Sequence, residues 1–481
     1  MNKNLLYRLY SGAFIGICLL PAVLTPFVKA DSSKENRVLA ALPSVKNVDG
    51  SINFNILSDW GEYFAEHFAF RQQLVTADSR IKTAVLGTSP NSDVIDGSNG
   101  WLYYGETIDD FLNINTMNSR QIYGICHDLR LMNSFCEENG AEFIFTSVPN
   151  KNSLYPENMP FNYVPTDAPD NYALIAEELS GDDFFLDMKG ALTAVDSSIP
   201  LYHKTDTHWN NLGAYAGHCA LMNKLGRSVC PAGSGWHTVA NGRLGDLAAM
   251  IYPAEDAKDT QVNNDYQFTY TYQGRFRALD DISISTAREG AEGSLLMYRD
   301  SFGEAILPYM AEQFGKAEFS RVVPYRTDSI ANGDVNVVIM EIVERNLPEL
   351  SQRSPVMAAP IAELPEAPAE LYAGEFSKKE NCAVINWDDI PICAENSGSY
   401  TLISGALPES FFSGDRHRVL LTIGDKTFEA FSASAHSDRG NGFSAYITSD
   451  TEITSLTVTV DNTEGTDVYI EVPADKIRKD N

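Results

Sequence analysis

The sequence predicts an α/β domain with a mostly parallel sheet, followed by a smaller β-sandwich. Three observations predict these folds. Short apolar runs alternate with helical stretches over the first two thirds of the chain, a Pro/Ala-rich segment follows, and short strands separated by turn residues fill the remainder. At 481 residues, the chain is also too long for one ordinary core.

The N-terminus carries a targeting signal. Lys3 and Arg8 precede an uncharged, mostly apolar run, 11–28, whose length lies between that of a long signal peptide and that of a short membrane span. Small or branched residues stand where a signal peptidase reads, so the segment 1–30 is either cleaved near Ala30 or retained as a membrane anchor. In both cases we expect an extracytoplasmic protein, anchored to the outer face of the cytoplasmic membrane or secreted.

Residues 31–53 are polar and predict a tether, and we expect the main domain over 54–350. Aromatic and aliphatic side chains at helical spacing in 54–86 predict two helices, or one kinked helix. We interpret their apolar stripe as packing into the core, and the alternative is a binding face. The next segments predict a β-hairpin at 94–104 and a helix at 119–139 that ends at Gly140.

Four short, nearly continuous apolar runs predict the strands of the sheet. Runs of this kind suit strands that are buried on both faces. The strands are expected at 143–148, 183–187, 294–298 and 335–342, with helices near 171–179, 211–225 and 304–314. In such sheets the reactive groups collect at the carboxyl ends of the strands.

Residues 351–370 are rich in proline and alanine and predict a linker. Strand-like segments then recur through 371–475, which predicts the β-sandwich. They are 400–403, 419–423, 445–448, 456–460 and 468–472. Carbohydrate binding by this domain is a hypothesis that rests on architecture alone.

Charge and cysteine usage exclude several functional classes. The net charge of −29 and the lack of a basic stripe argue against a nucleic-acid partner. The cysteines show no metal-binding spacing, so we expect no structural zinc and no other cofactor. Cys219 with Cys230, and Cys382 with Cys393, are candidate disulfides. Cys126 and Cys136 would lie about 15 Å apart on one helix, beyond disulfide reach.

Asp206 and His208 stand two residues apart in the stretch 202–213. In an extended backbone they would face one side together, with Thr207 turned away. A carboxylate beside an imidazole holds its tautomer and stabilises its cationic form, as a general base requires. The alternative is a capped helix start with a packed Trp209.

Ser301 stands at a predicted strand–turn–helix junction. Such a junction exposes a serine at the edge of the sheet, beside backbone N–H groups and the positive end of a helix. These donors would stabilise the oxyanion of an acyl-transfer intermediate. The alternative is that Ser301, or Asp300 beside it, only caps the helix.

Two motifs resemble those of the SGNH-hydrolase-like DHHW family, relatives of the alginate O-acetyltransferases of the bacterial cell envelope. They are 205–210 (TDTHWN) with 213–214 (GA), and 299–303 (RDSFG). Segments 35–37, 97–104, 148–151 and 341–345 agree with the family as well. The resemblance covers roughly residues 30–350 and implies a three-layer α/β/α domain of permuted order.

The resemblance implies that Asp206, His208 and Ser301 act as a catalytic triad. The acid and the histidine precede the serine, which matches the permuted arrangement of the acetyltransferases. Two departures stand out. Thr207 replaces the first histidine of the family motif, and Arg299 stands where ordinary SGNH enzymes have glycine.

Because Arg299 replaces the glycine that usually contacts the oxyanion, the N–H groups of Ser301 and Phe302 are the remaining candidates for that contact. Arg299 itself is a further candidate for contacting the oxyanion or the substrate. Asn150 and Lys151 follow a predicted strand and are candidates for lining the pocket. The alternative for both is a turn that only orders the loop.

The leading hypothesis is an extracytoplasmic O-acyltransferase that moves an acetyl group onto a hydroxyl of a cell-envelope or secreted polysaccharide. The family comparison implies a membrane-bound acyl-donor protein as a partner. The alternatives are a carbohydrate esterase with the same triad, and a non-catalytic polysaccharide-binding or scaffold protein.

Overall fold

A computed structural model describes residues 3–28, 39–47, 50–86, 89, 91–233, 235–256, 259–366, 369–380, 382–385 and 390–477. The predicted cleavage position near Ala30 and the first part of the predicted tether, 31–38, lie outside the described residues.

The helices are α1 (Lys3–Leu24), α2 (Ile56–His67), α3 (Arg71–Leu86), α4 (Ile108–Phe111), α5 (Ser119–Glu138), α6 (Lys151–Leu154), α7 (Asn171–Glu178), α8 (Met188–Thr193), α9 (Asn211–Lys224), α10 (Asp246–Ile251), α11 (Gly303–Ala311), α12 (Asp328–Ala331) and α13 (Ala474–Ile477). The strands are β1 (Val94–Asp96), β2 (Leu102–Tyr104), β3 (Glu142–Val148), β4 (Phe185–Leu186), β5 (Trp236–Arg243), β6 (Asp259–Asn264), β7 (Thr271–Gln273), β8 (Ser283–Ala287), β9 (Ser294–Tyr298), β10 (Lys316–Ser320), β11 (Val337–Val343), β12 (Glu370–Leu371), β13 (Phe376–Lys379), β14 (Cys382–Ile385), β15 (Ile390–Ser397), β16 (Tyr400–Ala406), β17 (His417–Ile423), β18 (Lys426–Ala430), β19 (Gly442–Thr448), β20 (Leu456–Asn462) and β21 (Val468–Val472).

The main sheet has seven strands in the order β4-β3-β11-β9-β10-β8-β7. The strands from β4 to β10 in this order run parallel, and β8 and β7 add an antiparallel edge. The predicted, mostly parallel sheet is confirmed. The segment 183–187 contributes only the two residues of β4, at the other edge.

Helices cover both faces of this sheet, because its strands alternate their apolar side chains between two cores. In β9, Leu295 and Met297 pack in the core that contains α8, α9 and α11. Their neighbours Leu296 and Tyr298 pack in the other core, with α5 and α7. A strand repeats every two residues, so one apolar run supplies both layers.

The hairpin predicted at 94–104 and the helix predicted at 119–139 are confirmed. β1 and β2 pair in antiparallel register, with Val94 opposite Tyr104. α5 begins at a capping box, in which Asn118 and Gln121 exchange side-chain and backbone hydrogen bonds. It ends before Gly140, whose φ of +74° lies in the left-handed region that glycine adopts readily.

The prediction that the apolar stripe of 54–86 packs into the core is wrong. The residues form two helices, as one of the expected arrangements had it, but α2 has no buried residue. The large apolar side chains along α2 and α3 lie on the outside of the described structure. Helical periodicity identified the stripe correctly, but it does not say which way a stripe faces.

The C-terminal β-sandwich is also confirmed. It consists of two five-stranded sheets, in the orders β12-β21-β20-β17-β18 and β13-β14-β15-β16-β19. All the predicted segments are strands, and their inward side chains share one core. The sequence analysis missed the remaining strands, because several of them carry polar residues at half-exposed positions.

The sandwich is docked against α5 by buried polar contacts. The carboxylate of Asp128, on α5, accepts hydrogen bonds from the N–H groups of Ser432 and Ala433 at 2.7 and 2.9 Å. His127 contacts Glu429 at 2.9 Å beside it. The Pro/Ala-rich segment also hydrogen-bonds to the sandwich over 359–362. The domain boundaries themselves stay a prediction.

Of the two predicted disulfides, one is present. Cys382 and Cys393 are bonded and face each other across β14 and β15. The prediction for Cys219 with Cys230 is wrong, since both thiols are free. Cys230 is buried with its Sγ 3.7 Å from the carbonyl of Pro231, whereas Cys219 faces an open groove.

Candidate active site

The turn after β9 positions Ser301 at the carboxyl end of the sheet. Asp300 holds this turn with both of its carboxylate oxygens. Oδ1 accepts the N–H of Phe302 at 2.8 Å, and Oδ2 accepts that of Val343, in neighbouring β11, at 2.7 Å. The turn is therefore fixed to the central strand of the sheet, and Ser301 is only partly buried.

The imidazole of His208 joins Ser301 to Asp206. Its Nε2 lies 2.8 Å from Oγ of Ser301, and its Nδ1 lies 2.8 Å from Oδ1 of Asp206. With the proton on Nδ1, the ring donates to the carboxylate and accepts from the serine hydroxyl, as a general base must. The structure thus brings the three predicted residues together, and their catalytic roles stay a prediction.

Asp206 and His208 face each other across a turn, not along an extended backbone as the sequence analysis assumed. The N–H of His208 donates to Oδ1 of Asp206 at 3.0 Å, the geometry of an Asx turn. Tyr202 and Trp209 pair at the base of this loop. The indole Nε1 of Trp209 donates to the carbonyl of Phe302 at 2.9 Å, which ties the loop to the serine turn.

Arg243 balances the charge of Asp206 from the side opposite His208. Its Nε and Nη2 donate to Oδ2 of Asp206 at 2.9 and 2.7 Å. Burial acts to raise the pKa of Asp206, but the hydrogen bond and charge of His208, with the charge of Arg243, outweigh burial and hold it below its usual range. Asp206 therefore stays ionised. The sequence analysis missed Arg243, because a lone arginine in a strand carries no signal.

A second acid, Asp246, lies close to the imidazole. Its Oδ2 is 3.6 Å from Nδ1 of His208, and its Oδ1 accepts the N–H of Thr207 at 2.7 Å. Burial acts to lower the pKa of His208, but the hydrogen bond and charge of Asp206, together with the charge of Asp246, raise it above its usual value. The site thus stabilises the protonated imidazole. The sequence analysis missed Asp246 as well.

Lys151 braces the acid–base loop. Its Nζ is buried and donates to the carbonyl groups of His203, Lys204 and Asp206 at 3.2, 3.1 and 2.6 Å. Burial lowers its pKa to about 8, against the raising effect of nearby acids such as Asp246. All three donors of the ammonium are used, so the side chain fixes the loop, which is the alternative that the sequence analysis gave for Lys151, and does not line the pocket.

The other three candidates for contact with the oxyanion or the substrate have different surroundings. The N–H of Phe302 is already donated to Asp300, so it is not a free oxyanion donor. The guanidinium of Arg299 is buried and donates to the carbonyl groups of Leu279, Asp281 and Asp300. Asn150 lies at the end of β3 with its Oδ1 buried and unpartnered among the described residues, and Nε of Arg299 is buried and unpartnered as well.

Arg345 follows the next strand, β11, and was not among the predicted site residues. Its guanidinium carbon lies 5.7 Å from the ring centre of Phe302 and 5.6 Å from that of Tyr104. Nη1 is buried and has no hydrogen-bond partner among the described residues. Its charge lowers the pKa of His208, after the larger effects of burial and of the two acids. A cation without an ion pair among the described residues therefore stands beside the serine turn.

Asp206, His208 and Asp246 place one ligand atom each within 4.8 Å of one another, a spacing that would suit a metal ion. However, Arg243 already donates to Oδ2 of Asp206, and Nε2 of His208 faces Ser301. These contacts fit acid–base chemistry better than cation binding. The expectation that the protein needs no metal stays a prediction.

Comparison with known proteins gives one family match. Residues 94–279 match the family model of the SGNH hydrolase-like domain of the acetyltransferase AlgX. The matched segment includes Asp206 and His208 and ends before Ser301. No curated protein matches the chain.

Several solved structures are similar at low identity. Bacillus cereus PatB1 with a sulfonyl adduct is 18% identical with a TM-score of 0.41, over 53% of this chain and 97% of that one. A DHHW family protein from Eubacterium siraeum is 18% identical with a TM-score of 0.39, over 53% and 94%. Pseudomonas aeruginosa AlgX is 14% identical with a TM-score of 0.37, over 79% and 92%.

The family match confirms the resemblance that the sequence predicted: residues 94–279 are similar to the SGNH hydrolase-like domain of the acetyltransferase AlgX.

Proposed function

We propose that this protein is an extracytoplasmic O-acyltransferase that transfers an acetyl group to a hydroxyl of a cell-envelope or secreted polysaccharide. The observation that supports the proposal most is the hydrogen-bonded series from Ser301 through His208 to Asp206, with both heavy-atom distances at 2.8 Å. The match to an acetyltransferase domain favours acetyl as the acyl group.

In the proposed first half-reaction, His208 takes the proton of Ser301 while Oγ attacks the acyl carbonyl of the donor. The tetrahedral intermediate collapses, the donor oxygen leaves with the proton from His208, and an acyl-serine ester remains. In the second half-reaction, His208 takes the proton of a sugar hydroxyl, which attacks the ester carbonyl. The bond from that carbon to Oγ of Ser301 breaks, and Oγ takes the proton back from His208. Asp206 orients His208 and stabilises its cation in both halves.

The oxyanion of these intermediates needs donors other than the N–H of Phe302. The N–H of Ser301 donates to no acceptor among the described residues and remains a candidate. We assign the positive charge that stabilises the oxyanion to Arg345, whose guanidinium stands beside the serine turn without an ion pair among the described residues. Asn150, at the end of the neighbouring strand, is placed to contact the substrate.

The donor is proposed to be a membrane-bound acyl-carrying protein. α1 is long and apolar enough to cross a membrane over Tyr7–Leu24. Lys3 precedes this stretch and Arg8 lies at its start, so the positive-inside rule puts the bulk of the chain on the outer side. An acyl donor in the same membrane would then meet the site without diffusing through the external medium.

The β-sandwich is proposed to hold the polysaccharide. A cleft of about 300 Å³ on one of its sheets is lined by Thr422, Thr457, Thr459 and Tyr469, with Leu364 and Pro365 at its border. Hydroxyl groups around an aromatic ring are suited to sugars, which present both hydroxyls and apolar C–H faces.

The same site would also support a carbohydrate esterase, in which water replaces the sugar hydroxyl in the second half-reaction. The side chain of His208 is 23% exposed, so solvent reaches the base. Incubating the protein with an activated acetyl ester and an oligosaccharide separates the two functions. Acetylated oligosaccharide supports the transferase, and free acetate in its place supports the esterase.

The central test is trapping of the acyl-enzyme. With a small acetyl ester, the wild-type protein should gain the mass of one acetyl group on the peptide that contains Ser301. The Ser301→Ala variant should gain none, and Ser283→Ala, which changes a serine on the antiparallel strand β8, should behave as wild type. Unchanged ester turnover in Ser301→Ala would leave only the non-catalytic binding or scaffold role.

A further inference from the structure

The two helices that follow the N-terminal segment carry their apolar side chains on the outside. On α2, Leu57, Trp60 and Phe64 are spaced i, i+3, i+7 and form one stripe. Leu57 is 84% exposed, and the two aromatic residues are 47% and 44% exposed. No residue of α2 is buried, so the stripe faces away from the protein.

The next helix, α3, has the same arrangement. Leu74, Ile81 and Val85 lie on one face and are all exposed. The opposite face, which meets the protein, is polar. Ser79 is buried there, and Thr83 Oγ1 is buried without a partner among the described residues. This is the inverse of a helix on the surface of a water-soluble domain, whose apolar face points inward.

The polar face of α3 is nevertheless firmly docked. Thr76 Oγ1 accepts the N–H of Ala254 at 3.0 Å. Arg80 pairs with Glu255, and its guanidinium lies 4.8 Å from the ring centre of Tyr252. The outward stripe is thus not a product of a loose helix, because specific contacts hold α3 in this orientation.

The position of the stripes relative to α1 indicates what covers them. α1 ends at Leu24, and Thr25 just beyond it accepts a hydrogen bond from the N–H of Ala69 at 3.2 Å. Ala69 lies in the turn between α2 and α3. The outer end of the candidate membrane span therefore contacts the turn of the helix pair, which puts both helices at the level where α1 would leave the bilayer.

We propose that α2 and α3 lie on the outer surface of the bilayer, with the two stripes inserted among the lipid headgroups and the adjoining acyl chains. Trp60 and Phe64 are the side chains that favour this interface. The polar face of α2 carries Asp59, Glu62 and Glu66, so the contact relies on apolar insertion and not on attraction to anionic lipids.

This contact would hold the candidate active site close to the membrane. α3 docks on the segment 252–255 that follows α10, and α10 begins at Asp246, 3.6 Å from Nδ1 of His208. With α3 lying on the surface, the site would stand at a fixed height above the lipid. The inference concerns membrane geometry alone and does not depend on the proposed acyl transfer.

Tryptophan quenching in the full-length chain tests the proposal. The chain is reconstituted in phosphatidylcholine vesicles that contain lipids brominated on the acyl chain. The fluorescence emission of Trp60 is taken as the difference between the emission of the wild type and that of Trp60→Phe. We expect the emission of Trp60 to be blue-shifted and quenched by the brominated lipid. High salt or added phosphatidylglycerol should not change this quenching. Trp236, in β5, serves as the control. Its emission, obtained in the same way from Trp236→Phe, should not be quenched.

A second variant excludes a general effect of reconstitution. Leu57→Gln with Phe64→Gln leaves Trp60 in place but makes the stripe polar, and quenching of Trp60 should then fall while the thermal unfolding of the chain stays the same. An unquenched, red-shifted Trp60 in the wild type would place α2 in water and overturn the proposal. A blue-shifted but unquenched Trp60 would also overturn it, because the stripe would then be covered by protein.

Discussion

Arg243 donates two hydrogen bonds to Oδ2 of Asp206, the carboxylate oxygen that does not contact His208. Asp206 is almost fully buried, so its charge would be costly without this partner. Because two charge-assisted hydrogen bonds hold Oδ2, Arg243 restrains the carboxylate that orients His208. The arginine is therefore a positioning residue in the proposed mechanism.

Replacing Arg243 with Met should lower kcat by roughly tenfold to a hundredfold, part of the 10²–10⁴ that a positioned general base contributes. KM for a small acetyl ester should change little, because Arg243 is not placed to touch the substrate. Arg243→Lys should recover only part of the rate, since lysine keeps the charge but loses the fork. A wild-type rate in Arg243→Met would contradict this role.

The pH dependence of activity should report the acids around His208. Their net effect raises the pKa of His208, so the acid limb of kcat/KM should lie above the ordinary histidine value. Asp246→Asn removes a negative charge near Nδ1 but keeps an acceptor for the N–H of Thr207. The pKa of His208 should then fall, and the acid limb should move to lower pH. A limb that stays in place, or moves upward, would exclude Asp246 as a contributor.

The outcome for individual residues indicates which features can be predicted from sequence. β3, β9 and β11 were found because a strand buried on both faces must be a continuous apolar run. Asp206, His208 and Ser301 were found because their motifs carry chemistry. Arg243 and Asp246 were not found, because only the folded chain brings a lone charge from elsewhere to Asp206.

The outcomes for the apolar stripe and for Lys151 have a common physical origin. The periodicity of α2 and α3 marks a stripe, and a stripe that meets lipid has the same spacing as one that meets a core. Lys151 follows a strand as a ligand-binding residue would, yet its partners are three backbone carbonyls. The sequence analysis left loop ordering open as the alternative for Lys151, but backbone carbonyls have no sequence signature, so the groups that Lys151 binds could not be predicted.

Lys151→Met should destabilise the protein and loosen the acid–base loop. The variant leaves three buried carbonyl groups without their donor, partly offset because a buried charge is also removed, for a net loss of about 2–4 kcal/mol. Chemical denaturation of the full chain in detergent measures this loss. Lys204→Met is the matched control, since Lys204 is exposed and donates only to the carbonyl of Asn99 at 3.3 Å. Its unfolding should match that of the wild type.

The difference in stability between wild type and Lys151→Met should also depend on pH. Burial lowers the pKa of folded Lys151 to about 8, below that of lysine in the unfolded chain. The unfolded chain therefore binds more protons above pH 8, and linkage makes the wild type gain stability as pH rises from about 8 towards the unfolded value near 10.4. A difference that is constant across this range would contradict a buried, charged Lys151.

Arg345→Met should slow formation of the acyl-enzyme about a hundredfold, the size expected when one preorganised oxyanion donor is lost. The small neutral acetyl ester should show the full effect in kcat, because the charge acts on the intermediate and not on a charged acceptor. Arg353→Met is the control, since Arg353 pairs with Glu349 on the surface. If Arg345→Met slowed only transfer to a charged sugar, Arg345 would bind the acceptor and would not stabilise the oxyanion.

The docking of the sandwich should depend on Asp128, because its carboxylate is the acceptor for two buried N–H groups of the segment 432–433. Asp128→Ala leaves both N–H groups unpaired, at a cost of about 1–3 kcal/mol each. We expect lower stability and faster proteolysis between α5 and the sandwich, with turnover of a small acetyl ester largely retained because the Ser301 site lies on other elements. Asp438→Ala changes a carboxylate whose side chain is 86% exposed and should have neither effect. Equal protease resistance in the two variants would mean that contacts other than Asp128 hold the sandwich in place.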